Sequence, residues 1–418
     1  MKSNAAPAES RLGAPMARPA TRPLHVLTLT PFFPSRENPV GGCFVKEPLD
    51  FLQTEGVTST VIAASPLHHH KKEPALGAPA EWFRYPQIPG TIGLASAGRL
   101  LAARLSRRVA DLHRRKPVDL IHAHAALPCG EAARQISRRL TIPYVVSVHG
   151  LDVFNTCYVE GWAAEGRRRA SAAVYQDANA VVCISERAQE ILRSGMRGGV
   201  RSCVIYNGAD PDLFSPGAGA HGHRAENGDV QQELLVVGNL IASKGQELLL
   251  RAMHRLAGMF PQMQCRVVGE GPDRTRLQAL ATQLELGQRV QFVSRQSRTE
   301  IADAMRRCSI FVLPSRNEGL GCVYLEAMAC GRPVVGCRGQ GIEEIIEHGK
   351  NGWLVSGSDT EELAGALTTL LREPGLAAQI GRAARETIVN GLTLSDQAHN
   401  LAMLYRAAGV PGAADRGL

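Results

Sequence analysis

The 418-residue chain has no uninterrupted apolar run of the roughly 18 residues that a membrane-spanning helix needs. Its opening, MKSNAAPAESRLGAPMARPATRP, is rich in Ala and Pro and lacks the apolar core of a signal peptide. Residues 1–23 are therefore expected to form a disordered tail, and the chain to stay in the cytoplasm. Aromatics make up only 5% and no nucleic-acid recognition motif occurs, so no nucleic acid partner is expected. The ten cysteines include no C-x-x-C pair; they read as reduced, mostly buried thiols and not as disulfides or a zinc site. The first strand-like run leads into PFFPSRENPVGGCF and not into G-x-G-x-x-G, which disfavours an NAD-dependent oxidoreductase.

What is present is an ordinary globular composition, with 44% hydrophobic and 21% charged residues and 42 glycines, in a length that suits two domains. Charge is uneven. Before residue 216 there are 26 Lys+Arg against 18 Asp+Glu; after it the counts are 21 and 21. Much of the excess sits in RLLAARLSRRVADLHRRK (99–116). Leu101, Leu105, Val109 and Leu112 share one helical face there, with Arg104, Arg107, Arg108, Arg114 and Arg115 mainly elsewhere. Such a segment is either a surface helix with a solvated basic face or a contact for anionic lipid or substrate.

Strand-like and helix-like runs alternate from residue 24. LHVLTLT, VTSTVIA, DLIHAH, YVVSVH, AVVCI and CVIYN read as buried strands, mostly with helical segments between them. SPGAGAHGHRAENGDVQQ (215–232) has no apolar period and reads as a linker. The alternation then resumes with strands at ELLVVGN, QCRVVG, RVQFV, SIFVLP and PVVG and helices near 243–258, 272–286, 297–307, 320–330 and 358–373. The fold class is α/β: two doubly wound, Rossmann-like domains facing a cleft.

Ligands of open parallel sheets bind at the carboxyl ends of strands. Four strand-end loops in the second half qualify: VVGNLIASKGQ with Asn239 and Lys244, VVGEGPDRTRL, PSRNEGLG and GCRGQGIEEII. Glycines allow close backbone approach and free amides at a helix start, which suits phosphate, and Lys244 is a matching point charge. A helix beginning near Gly319 would aim the amides of Leu320, Gly321 and Cys322 at that ligand. Glu318 precedes this start and Glu326 lies about two turns in. The two carboxylates suit hydroxyls at both ends of a nucleotide sugar; the plainer alternatives make Glu318 an N-cap and Glu326 a surface helix residue. His122 and His124 alternate on a strand and face one way, with a structural or acceptor-side role more apt than metal binding.

EGLGCVYLEAMACGRPVVG has the form of an E-x7-E signature, and with VGNLIASKGQELLL, VVGEGPDRTRL, VHGLDVF and VIYNGADPDLFSP the chain resembles the group 1, or family 4, retaining glycosyltransferases of GT-B fold. The likeness runs from about residue 24 to 408. NPVGGCFVKEPLDFLQTEG and IHAHAALPCGEAA point toward the branch that builds bacterial cell-surface polysaccharide or glycolipid. The resemblance implies an acceptor-side domain over 24–214, a nucleotide-sugar donor domain over 233–390, and, in 391–418, a helix packing back on the N-terminal domain. It implies that Lys244, helped by the amides of Gly41, Gly42, Gly319, Leu320 and Gly321, neutralises the donor diphosphate. Glu326 would bind ribose, Glu318 the transferred sugar, and His149 that sugar from the other domain. Asn239 departs from the family's usual Arg, and Arg316 or Arg338 are the replacements on offer. No metal or other cofactor is implied, only a nucleoside-diphosphate sugar as donor and a sugar or lipid-linked acceptor, with peripheral contact to an anionic membrane. A nucleotide-sugar epimerase of similar fold and a non-catalytic nucleotide-sugar-binding subunit are the alternatives.

Overall fold

A computed structural model describes residues 22–90, 93–150, 162–196, 198–217 and 232–409. Most of the expected tail (1–21), most of the linker (218–231) and the VHGLDVF segment beyond Gly150 lie outside the described residues. At the end of the expected tail the Arg22 guanidinium bridges Asp119, with Nη1 donating to Oδ2 at 3.0 Å.

The first half is one parallel sheet of seven strands: β1 (Leu24–Thr30), β2 (Val57–Pro66), β3 (Glu81–Tyr85), β4 (Leu120–His124), β5 (Tyr144–Val148), β6 (Ala180–Cys183) and β7 (Ser202–Val204), in the order β3-β2-β1-β4-β5-β6-β7. Its helices are α1 (Cys43–Leu52), α2 (Leu94–Arg115), α3 (Glu131–Leu140), α4 (Trp162–Asp177) and α5 (Glu186–Ser194). Both faces of this sheet are covered, so its strands carry continuous apolar runs. Val146 and Val181 enter one core with α2 and α3, while their neighbours Val145 and Val182 enter another.

The second half has six parallel strands, β8 (Glu233–Val237), β9 (Gln264–Val268), β10 (Val290–Val293), β11 (Ile310–Val312), β12 (Val334–Cys337) and β13 (Trp353–Val355), in the order β10-β9-β8-β11-β12-β13. Around it lie α6 (Gln246–Leu256), α7 (Arg274–Gln283), α8 (Arg298–Arg307), α9 (Cys322–Ala329), α10 (Thr360–Arg372) and α11 (Pro374–Val389). A last helix, α12 (Leu394–Ala408), returns to the first half, where Leu401 and Tyr405 complete the core of Val145 and Val182. It starts on a capping box of Thr393 and Asp396. Beside that box Gly208 N–H donates to Gln397 Oε1 at 2.9 Å and Ala209 N–H to Leu392 O at 3.0 Å, so the two crossings between halves run side by side.

Strands β3 and β13 are absent from the sequence reading; both are short edge strands, and edge positions carry the weakest apolar signal. On α2, Leu101, Leu105 and Val109 are buried and Arg104, Arg107, Arg108, Arg114 and Arg115 exposed, with Arg108 ion-paired to Glu81 at 2.8 Å. The described cysteines are all free, and most are buried.

Candidate functional site

The carboxyl ends of β8, β9 and β11 meet the ends of β1 and β5 across a cleft of about 500 Å³. Lys244 closes a 3-10 turn, Ala242–Lys244, at the end of β8. Gly245 follows with φ of 71°, and a Cβ on it would lie 2.0 Å from the Pro314 carbonyl. Glycine is thus what seats the Lys244 turn against the end of β11. The Lys244 ammonium is ion-paired with Glu318, which also accepts from Ser315 Oγ at 3.2 Å. Gln340 Oε1 accepts from the Glu318 N–H at 2.9 Å and fixes that turn. Asn239 lines the same wall, its carbonyl accepting from Gln246 Nε2 at 3.0 Å.

The helix carrying Glu326 begins later than the sequence reading has it. Gly321, with φ of 84°, is the N-cap, and α9 starts at Cys322. Leu320 is instead fully buried in the core, and the space beside Gly319 is filled by Ile184, Gly150 and the His149 carbonyl. Neither lines the cleft; Gly321, Cys322 and Val323 do, so the amides at the helix start are those of Cys322 and Val323. Glu326 is no surface residue. It is 2% exposed, its Oε1 lies 2.8 Å from Arg298 Nη1, and its buried Oε2 has no hydrogen-bond partner among the described residues. Arg298, unread in the sequence, also reaches across the cleft to Glu47 of α1, Nε to Oε1 at 2.7 Å and Nη2 to Oε2 at 3.0 Å. Burial pushes the Glu47 carboxyl above its ordinary range, against the pull of Arg298.

From the first half the cleft receives Phe32, Val40, Cys43, Phe44 and His149. Gly42, φ 75°, is the N-cap of α1, and a Cβ there would meet the Phe32 carbonyl carbon at 2.5 Å. The Gly41 N–H is already donated to Asn38 O at 3.1 Å, so this amide is spent on the loop and not available to a diphosphate. His149, one residue past β5, has Nε2 2.9 Å from His124 Nδ1. His122 lies beside His124, ring centroids 4.3 Å apart, and bonds Tyr405 OH and Ser147 Oγ, each at 2.7 Å. Burial holds His149 down at about 4 and His122 at about 3, and His124 well below its ordinary value, so this row is neutral at physiological pH.

Neither Arg316 nor Arg338 lines the cleft; Arg338 is paired outside it with Glu362 at 2.6 Å. Arg295, from the loop after β10, does line it, and it ion-pairs with no described residue. It lies three residues before Arg298, in the loop that leads into α8. Only tertiary structure brings this loop and Asn239 to one cleft. Asp210-Pro211-Asp212 has the form of a D-x-D triad, but Asp210 Oδ1 accepts from the N–H groups of Asp212 at 3.0 Å and Leu213 at 3.2 Å, making a turn. The described residues contain no cluster of three or more His, Cys, Asp or Glu able to hold a metal ion.

Against known proteins, the sequence profile described as glycosyl transferases group 1 matches residues 224–387, and that of glycosyltransferase family 4 matches residues 44–213. A D-inositol 3-phosphate glycosyltransferase of Mycobacteroides abscessus is 32% identical over 72% of this chain and 68% of its own length. A GDP-mannose-dependent alpha-(1-6)-phosphatidylinositol monomannoside mannosyltransferase of Mycolicibacterium smegmatis is 29% identical over 72% and 78%. Among solved structures, sucrose-phosphate synthase from Thermosynechococcus elongatus superposes with a TM-score of 0.72 at 22% identity, covering 91% of this chain and 98% of that one. Anabaena HepE, solved with UDP and glucose, gives 0.72 at 22% identity over 91% and 99%. The fold is accordingly GT-B.

Proposed function

Since the chain belongs to the group 1 glycosyl transferases, we propose that it moves a sugar from a nucleoside-diphosphate sugar to an acceptor hydroxyl, with retention at the anomeric carbon. The observation that carries this reading is Glu326, which lines the cleft as a carboxylate with one oxygen clamped and the other buried and unpartnered among the described residues. A buried charged acceptor without a donor costs stability, and a ribose hydroxyl supplies the donor.

The remaining groups divide the donor between them. The diphosphate lies against Lys244, Arg295 and the amides of Cys322 and Val323, which stabilise charge developing on the leaving group. A diphosphate, carrying more charge than one carboxylate, displaces Glu318 from Lys244. Glu318 is then free to accept from hydroxyls of the transferred sugar. His149, kept neutral by burial, hydrogen-bonds that sugar from the opposite domain. Attack comes from the leaving-group face, and a departing phosphate oxygen takes the acceptor proton.

A second groove of about 830 Å³ joins the cleft at Cys43 and Arg298 and is walled by Pro34, Pro39, Leu76 and Lys46. Its apolar wall suits a lipid-linked acceptor, in keeping with surface polysaccharide or glycolipid synthesis. The exposed arginines of α2 would bring the enzyme to an anionic membrane.

Release of free nucleoside diphosphate from a panel of nucleotide sugars, with and without candidate acceptors, is the test. Acceptor-dependent release supports transfer. Conversion of the donor sugar with no release identifies an epimerase, and binding without either identifies a non-catalytic subunit.

A further inference from the structure

Arg298 sits where three features meet. Ser297 and Glu300 form a capping box that makes Arg298 the first residue of α8 and fixes its backbone. Its guanidinium carbon lies 4.8 Å from the centre of the Phe214 ring, which holds the plane of the fork. Two arms of that fork take both oxygens of Glu47, from the first half of the chain, and the third takes Oε1 of Glu326, from the second. A lysine, with one compact charge, does not span these partners.

The arrangement has a consequence for Glu326. At 2% exposed, Glu326 has little water to orient it, so the Arg298 arm on Oε1 sets the plane of the carboxylate. By engaging Oε1, Arg298 also leaves Oε2 as the oxygen without a hydrogen-bond partner among the described residues.

Resting on the donor reading above, we propose that Arg298 is a positioning residue for the ribose seat: it fixes the Glu326 carboxylate through Oε1, leaves Oε2 for the ribose hydroxyls, and through Glu47 ties that seat to the opposite domain. Arg298 need not touch the nucleotide to decide how well its ribose is read.

The test compares UDP and GDP with their 2′,3′-dideoxy counterparts by titration calorimetry. A hydrogen bond from a ribose hydroxyl to a charged acceptor makes wild type prefer the tighter ribonucleotide over its dideoxy form by about tenfold or more. Arg298→Met is expected to abolish that preference, to within about twofold, while the dideoxy form binds much as before. A merely structural loss would weaken both forms alike and keep their ratio. Glu326→Ala is expected to abolish the preference too. Because Arg298→Met leaves Glu47 unpaired, Arg298→Met with Glu47→Gln is measured beside it, thermal unfolding checks both, and the same loss is expected. If a folded Arg298 variant keeps the wild-type preference while Glu326→Ala loses it, the positioning role is overturned and the ribose seat stands. If Glu326→Ala also keeps it, or wild type shows none, the ribose reading fails and takes this proposal with it.

Discussion

Lys244 and Glu318 hold each other across the strand ends, both largely buried. On the proposed reading, replacing Lys244 by Ala removes a cation from beside the leaving group. Loss of one preorganised charge-stabilising group costs about 10²–10³ in kcat, so steady-state diphosphate release should fall by that order. A loss below about threefold would assign the charge stabilisation elsewhere. With Lys244, Arg295 and backbone amides in that role, turnover should survive EDTA. Turnover abolished by chelation and restored by a divalent cation would contradict it. The E-x7-E segment is readable in the sequence because nine consecutive residues, 318–326, carry it. Arg298 is not, since its partners Glu47 and Glu326 lie 251 and 28 positions away, and no local pattern links an arginine to carboxylates so distant. The same holds for Arg295, which shares a cleft with Asn239 only through the tertiary fold. The Gly41 amide misled the reading because its bond to Asn38 lies within a loop that has no period.

At the scale of elements, helix positions are legible where capping and periodicity agree, and less so where glycine decides. α8 follows Ser297 and its capping box closely. α9 starts at Cys322 because Gly321 adopts a left-handed conformation, which a glycine permits without requiring it. Basic α2 shows its apolar and charged faces in the sequence, but not that Arg108 spends its charge on Glu81. Arg104, Arg107 and Arg115 are exposed and ion-pair with no described residue. Each cation near an anionic surface contributes about 1 kcal/mol, screened by salt. Reversing the charge at Arg104, Arg107 and Arg115 should therefore reduce co-sedimentation with anionic vesicles at low salt and leave nucleotide affinity unchanged. Wild type remaining in the supernatant would make α2 a solvated face only.

Across the whole molecule, two parallel sheets and the cleft between them follow from strand-like runs alternating with helices, whereas the contacts that close the cleft do not. Glu344, after β12, accepts from the N–H groups of Glu186 at 2.7 Å and Arg187 at 2.8 Å, capping α5 of the opposite half. The row of His122, His124 and His149 ties β4 and β5 to Tyr405 of the returning helix α12. Burial lowers all three below the unfolded value of about 6.5. The unfolded chain thus binds more protons through that window, so their contribution is intact above about pH 6.5 and is lost as pH falls toward 4 and 3. Urea midpoints should drop between pH 7 and pH 4.5, and less steeply in His122→Gln; equal slopes would place the acid sensitivity in other groups. The central claim is that a nucleoside diphosphate binds this cleft with its ribose on Glu326. Calorimetric titration of UDP and GDP into wild type and Glu326→Ala tests it most directly. The account predicts tight binding of at least one nucleotide to wild type and a loss of about 1.5–3 kcal/mol in the variant. Equal affinity in a normally folded Glu326→Ala protein would contradict it.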